Sequence, residues 1–208
     1  TVGAIDLIRL TFFNKARQFV NGVDFDLNYR LPPNELGQFT FDSAWTYLID
    51  FYSYDAPGKP KTVLRDQNSF TAAGTAIWRG TTTLAWKRQQ WGAGLSAYYI
   101  GSYQDSNATT TQSVYRSLGS PGYIAQVFTG GAWTYRYVVH DSLTYNAYVS
   151  YRVRTRNRSL NDTTIRLGVV NLLNAKPPLS SDSRGYDPAV YGNLARGLAW
   201  SVEVTKEF

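Results

Sequence analysis

Leu198-Ala199-Trp200-Ser201-Val202-Glu203-Val204-Thr205-Lys206-Glu207-Phe208 closes the sequence, and its alternation decides the class of fold. Leu198, Trp200, Val202, Val204 and Phe208 fall on one side of an extended chain. Ala199, Ser201, Glu203, Thr205 and Glu207 fall on the other. Successive side chains of a strand point to opposite faces, so this is a period-2 strand with one apolar and one polar face. Two settings accept it: an edge strand of a soluble sandwich, or a wall strand whose apolar face meets lipid.

The same pattern recurs upstream. Val23, Phe25, Leu27, Tyr29 and Leu31 alternate with Asp24, Asp26, Asn28 and Arg30. Phe39, Phe41, Trp45, Tyr47, Ile49 and Phe51 are expected on one face of the next run. Trp78, Leu84 and Trp86 share a face, as do Trp91, Ala93, Leu95, Ala97, Tyr99 and Tyr103. Leu143, Tyr145, Ala147, Val149, Tyr151 and Val153 form a further set, and Ile165, Leu167 and Val169 another. The predicted strands are 21–31, 38–54, 74–89, 91–103, 136–154, 163–173 and 195–208. Residues 1–13 give no clean face at either parity and are either an eighth strand or the wall of a loop. A tilted strand crosses a bilayer in about ten residues, whereas soluble strands average about five or six.

Composition narrows the class. There is no cysteine, so neither a disulfide framework nor a thiol metal site is available. Aromatics reach 15%, with 16 Tyr and 6 Trp, side chains that combine an apolar body with a polar tip. No apolar stretch is long enough for a spanning helix, so any crossing uses strands. The net charge of +6 is scattered, without the basic, aromatic-interleaved groove of a nucleic-acid binder, and no nucleic-acid partner is expected. The sequence begins at Thr1, has no methionine and shows no signal peptide, as expected of a mature chain or a piece of a longer one.

The connections sort by length. Short ones fall at 31–37, 88–92 and 154–162. Long ones fall at 55–73, 104–133 and 174–194, and the two kinds alternate. Outer-membrane barrels have short periplasmic turns and long extracellular loops, and counting back from a periplasmic C-terminus puts every long loop outside. The expected fold is all-β: an antiparallel up-and-down transmembrane β-barrel segment of about seven to eight strands, in the bacterial outer membrane.

Catalytic patterns are absent. His140 is the sole histidine, and beside Asp141 it suggests a dyad, but no G-x-S-x-G and no cluster with metal-ligand spacing accompanies it. His140 is read as an exposed rim residue. Asp24 and Asp26 share a face opposite Arg30 and are read as wet wall positions. No enzyme activity, metal or cofactor is expected.

Gly168-Val169-Val170-Asn171-Leu172-Leu173-Asn174-Ala175-Lys176-Pro177-Pro178 resembles the G-x-x-N-L-F-[ND]-x-x-P-P segment before the last extracellular loop of TonB-dependent receptors. Gly185-Tyr186-Asp187-Pro188, Tyr191-Gly192 and Arg196-Gly197 are similar to that family's Y-D-x loop, Y-G pair and arginine-glycine entry to the final strand. Asn21 to Tyr29 resembles its G-[VI]-D-[LF]-x-[LF]-x-Y strand, and Leu36 to Thr40 the turn that follows. The resemblance runs from residue 21 to nearly the end. Physically, Asn171 and Asn174 can bond neighbouring backbone where the strand ends, and Pro177 and Pro178 cannot donate to a ladder.

The resemblance implies the C-terminal part of a 22-stranded barrel, 1–208 as one fragment without plug domain or energy-coupling box. It implies uptake of a scarce nutrient, an iron chelate, a vitamin or a glycan, with these residues supplying wall and extracellular loops. Implied partners are outer-membrane lipid, lipopolysaccharide and the barrel-assembly machinery, with the TonB system reached only through the plug. The membrane-insertion signal would lie in Trp200, Val202, Val204 and Phe208. Lys206 stands where the family often has an aromatic, and Leu173 where Phe is commoner. In this family the loops contact substrate, and the candidates here are Lys59, Lys61 and Arg65, then Tyr115, Arg116 and Tyr123, then Arg184 and Tyr186. The basic first group would suit an anionic chelate or a lipopolysaccharide phosphate. Two alternatives are a self-contained eight-stranded barrel or small pore, with Asp24, Asp26, Arg30, Arg79, Lys87, Arg152, Arg154, Arg166, Glu203 and Glu207 as an inner charge network, and a soluble carbohydrate-binding β-sandwich.

Overall fold

A computed structural model describes residues 17–56, 58–68 and 73–207. The expectations for residues 1–13 and for Phe208 fall outside the described residues. The chain is all-β with antiparallel sheets. The main sheet is a meander of β1 (Arg17–Arg30), β2 (Gln38–Tyr54), β4 (Trp78–Arg88), β5 (Trp91–Ile100), β9 (Ser142–Val153), β10 (Thr163–Val170) and β11 (Ala199–Lys206), paired in that order. A short β3 (Lys61–Val63) adds to the far end of β2. A second sheet, ordered β6 (Tyr103–Thr110), β8 (Ala132–Val139), β7 (Ile124–Thr129), is built from the longest loop together with helix α1 (Gln112–Ser117). Helix α2 (Pro188–Tyr191) and a 3-10 turn (Leu194–Arg196) lie in the loop before β11.

Register carries the alternation across the whole main sheet. Phe25 lies opposite Trp45, Leu84 opposite Leu95, Ala93 opposite Val149, Leu167 opposite Val202, and Ile165 opposite Val204. Directly opposed residues share a face, so the apolar sets of all seven strands merge into one outer surface. The inner surface gathers Asp26, Thr81, Ser96, Asn146, Arg166 and Ser201 with their neighbours. The outer surface carries no second layer among the described residues: Val202 is 71% exposed and Trp200 63%. Its polar exceptions bond to one another, the Ser43 hydroxyl with Thr82 at 2.9 Å and with the Trp45 indole N–H at 3.0 Å.

Aromatic rings mark both ends of this surface. Tyr29, Phe39, Trp86, Trp91 and Tyr151 lie toward the short connections, and Trp91 packs on Tyr151 at 4.7 Å. Tyr47, Trp78, Tyr99 and Trp200 lie toward the long ones, and Tyr47 packs on Trp78 at 4.7 Å. From Trp78 to Trp86 is eight residues, about 26 Å along the strand. Between the rows sit Leu84, Leu95, Ala97, Ala147, Val149, Leu167 and Val202.

Several predicted boundaries are corrected. The expected strand 136–154 is two strands of different sheets, broken at His140-Asp141, where the chain leaves the loop sheet and enters the wall. The 104–133 loop is largely structured, since it contains most of β6 and all of α1 and β7. Tyr103 begins β6 instead of ending β5. The third strand starts at Trp78, not 74, because Gly74 and Ala76 turn into a buried core. The last strand starts at Ala199 because Leu194–Arg196 is a 3-10 turn. In β2 the register skips Ile49, with Gly22 opposite Leu48 and Asn21 opposite Asp50. This bulge flips the pleat, so Phe51 joins the inner face and Tyr52 takes the outer, stacked on Phe19 at 5.3 Å. The seven main strands, their order and the segregation of short and long connections to opposite ends are as read from the sequence. β1 and β11 are not paired with each other, and the barrel is not closed by the described strands.

Candidate functional site

The three long connections meet over one end of the inner face. The small core there is Ala76, Tyr103, Val139, Tyr191 and Leu194, with Ile100, Tyr186 and Val190 packed against it. Two buried carboxylates tie the loops together. Asp187 is the N-cap of α2 and accepts from Ala189 N at 3.0 Å and Val190 N at 3.3 Å, while Pro188 occupies the first turn, where no N–H is needed. The same carboxylate accepts from Gly74 N at 2.7 Å and from the Tyr103 hydroxyl at 3.3 Å. It thereby joins the loops before β4, after β5 and before β11. Gly74 is required by proximity: a Cβ there would lie 2.0 Å from the Tyr103 ring.

Asp105 makes the second tie. It accepts from Ser181 N at 2.6 Å, Ser181 Oγ at 2.7 Å, Asn68 Nδ2 at 3.1 Å and Asn107 N at 3.2 Å. Burial raises its pKa, but these hydrogen bonds outweigh burial, so the carboxyl titrates below the ordinary range. Desolvation pushes up the Tyr103 phenol, with Tyr191 and Asp187 adding to the rise, and holds Tyr191 up at about 12. Burial also raises Asp66 against the lowering bond from Gln104, and lowers Arg136, which donates to Gln67 and Gln104.

Beneath this cap the inner face lines a half-open cavity of about 520 Å3. β1 contributes Asp24 and Asp26, β4 Arg79, β5 Tyr98, and β9 Thr144 and Asn146. Thr46 Oγ1 donates to Asp24 at 2.7 Å, Arg79 Nη2 donates to Gly74 O at 2.9 Å, and Asp26 has no ion-pair partner among the described residues. Tyr191 is fully buried and lines this cavity; its hydroxyl lies beside that of Tyr103, which interacts with it, and makes no other hydrogen bond among the described residues. Buried polar groups are nearly always satisfied, so this phenol is a ready donor to a molecule in the cavity. The arrangement can bind and orient a small polar solute.

The loop residues singled out from the sequence are not gathered around this cavity. Lys59 is exposed, and Lys61 projects from β3 over the Tyr52 ring at 5.1 Å. Arg65 is bound to Leu48 O at 2.9 Å. Tyr115 packs on Tyr135 at 5.1 Å, and Arg116 sits exposed on α1. Arg184 is exposed beyond the turn at Asp182, whereas Tyr186 packs into the cap core. No hydrogen bond or ion pair joins any two of these singled-out side chains to each other among the described residues; Tyr115 accepts from Gln126 at 3.0 Å. His140 is exposed at the break before β9.

The inner charges pair only at the short-turn end. Arg152 meets Asp162 at 3.0 Å and Glu207 at 2.6 Å, and Arg154 meets Asp162 at 2.9 Å. Arg166 lies 3.9 Å over the Tyr148 ring instead of against a carboxylate. Asp24, Asp26, Arg30 and Lys87 form no ion pair among the described residues, so the expected network is partial.

Asn171 and Asn174 act as read. Asn171 adopts φ 54°, is buried, and closes a ring with Ala175 through bonds of 2.9 and 2.8 Å. Asn174 adopts φ 52° and accepts from Leu198 N at 3.2 Å, seating the entry to β11. Reading the sequence missed Asp105, Asn68, Tyr103 and Gly74. Only Asp187-Pro188 carried a local mark, the cap-then-proline order of a helix start.

No known protein family, curated protein or solved structure matches this chain.

Proposed function

We propose that these residues are wall and loops of a bacterial outer-membrane β-barrel, the C-terminal part of a receptor of the TonB-dependent kind that takes up a scarce nutrient. One observation carries this reading: seven strands place their apolar sets on one surface uncovered among the described residues, bracketed by two rows of aromatics about 26 Å apart along the strands, roughly 20 Å in height at a tilt of about 40°. An outer-membrane barrel requires an apolar band about 25 Å tall between aromatic girdles, with a polar interior. A soluble sandwich would have to cover that surface. Among the described strands β1 and β11 each pair on one side only, which supports further wall strands over a small closed barrel, because an exposed edge invites mispairing. The membrane-insertion role remains with Trp200, Val202 and Val204 on the last strand and with Phe208 beyond the described residues. The capped inner cavity is the place for the transported solute, with Tyr191 and Asp26 as its first contacts. The exposed cations Lys59, Lys61, Arg116 and Arg184 face the outer milieu, where lipopolysaccharide phosphates lie.

Tryptophan quenching tests this. Trp45, Trp78, Trp86, Trp91 and Trp200 occupy the apolar surface, and Trp133 alone stands on the loop sheet. With the full chain reconstituted in vesicles, brominated lipid is expected to quench the first five and spare Trp133. Iodide is expected to do the reverse. Equal iodide access to all six would remove the membrane reading.

A further inference from the structure

The loop sheet carries a groove that neither the wall nor the inner cavity uses. It has a volume of about 360 Å3 and is lined by Tyr123, Tyr137, Ala108, Leu179, Ser180 and His140. Tyr123 and Tyr137 stack at 6.3 Å, 12° from parallel, and remain 43% and 37% exposed. The stacked pair is held from below: β8 is paired on both sides, Val138 N donates to Tyr123 O at 2.9 Å, and Val139 is locked in the cap core. The far side is Leu179, 83% exposed, on a segment anchored through Ser181 to Asp105.

The lining chooses among ligands. No Lys or Arg faces the groove, which disfavours phosphate, sulfate or lipopolysaccharide phosphate. Among the described residues the only carboxylate lining it is Asp105, whose oxygens are already engaged by Ser181, Asn68 and Asn107, which disfavours a cation. The volume lies at the lower end of the roughly 300–1,000 Å3 of small-ligand pockets. The mostly apolar lining suits an uncharged ligand with an apolar face, and Ser180, His140 and the phenols at its edge offer hydrogen bonds that a purely apolar ligand would leave unused. A pyranose has both: axial C–H groups for the tyrosine rings, and hydroxyls for Ser180, His140 and the phenols.

We propose that this groove binds a neutral saccharide by stacking on Tyr123 and Tyr137. The site consists of loop residues alone, so it stands whether or not the wall crosses a membrane.

The experiment titrates the full chain, held in a detergent without a sugar headgroup, with cellohexaose, maltohexaose, laminarihexaose and chitohexaose by calorimetry. At least one is expected to bind, with Tyr137→Ala weakening it about tenfold, the loss of one aromatic stack, and Tyr137→Phe retaining it. Leu179→Arg, at a position with no structural contact to lose, is expected to block the groove by at least about tenfold. Three outcomes overturn the proposal: no binding across the panel, binding that Leu179→Arg and Tyr137→Ala both leave unchanged, or equal binding of inorganic phosphate or of anionic lipid vesicles that Leu179→Arg abolishes. Lipid quenching of the wall tryptophans is read separately, so either result can fail without the other.

Discussion

The Asp187 carboxylate accepts a hydrogen bond from Gly74 N, 113 residues earlier in the chain, at 2.7 Å. That bond joins the first long loop to the last, and the phenol of Tyr103 brings the middle one to the same carboxylate. Asp187→Ala removes a helix cap and leaves a buried N–H unpaired. It is expected to cost the cap about 3 kcal/mol and to open Arg65 to trypsin, while the circular dichroism of the wall is unchanged. Wild-type cleavage rates in the variant would show that the loops are held by something else.

The Asp105 carboxyl has a folded-state pKa below its ordinary value, so its contribution to stability is present above the ordinary carboxylate range and is lost as pH falls through the folded value. Asp66 is shifted the other way, so its contribution is present at acid pH and lost as pH rises through its elevated value. Loop opening on acidification, followed by hydrogen exchange at Ser181, should therefore lie below about pH 4 in the wild type. Asp105→Asn should flatten that acid limb, and Asp66→Asn should leave it unchanged while removing the loss of stability between the ordinary carboxylate value and the elevated value of Asp66. An unchanged profile in Asp105→Asn would assign the acid limb to another group.

Leu95 and Ser96 are neighbours in β5 and point to opposite surfaces. Leu95→Arg, midway between the aromatic rows, is expected to lower folding stability in bilayers by about 2–4 kcal/mol. Ser96→Arg, on the polar surface, is expected to stay within about 0.5 kcal/mol of wild type. Equilibrium refolding into short-chain lipid vesicles measures both. Equal losses would mean that the two surfaces do not differ in solvent.

Asn171 combines a left-handed backbone with two side-chain bonds to Ala175. Asn171→Ala is expected to lose about 3 kcal/mol, near 1 from the backbone and the rest from the bonds. Asn171→Gly keeps the backbone and should lose about 2. Denaturant titration separates them, and equal losses would leave the backbone term without effect.

The wall was legible because it is periodic: the pattern Trp200, Val202, Val204 needs only two-residue spacing to be read, and opposed strands repeat it. The break at His140-Asp141 was not legible, since Val138 and Val139 continue the apolar content of the next strand into a different sheet. The bulge at Ile49 was hidden for the same reason, as a parity flip leaves composition unchanged. The cap was the least legible part. Asp105, Asn68, Gly74 and Tyr103 lie far apart in sequence, and nothing local marks a residue whose partner sits 37 or 113 positions away. The basic loop side chains drew attention through their charge, yet Arg65 serves the backbone and Lys61 an aromatic ring.

The two carboxylate ties also bear on how the sheet avoids misalignment. A slip by two residues between β4 and β5 would keep every outward side chain on the outer surface, setting Leu84 against Ala93 or Ala97 instead of Leu95. It would also displace Gly74 from Asp187 and Asn68 from Asp105 by about 7 Å, beyond hydrogen-bond reach. The cap thus acts as a proofreader: it closes over one alignment of the strands and leaves the near-degenerate ones open.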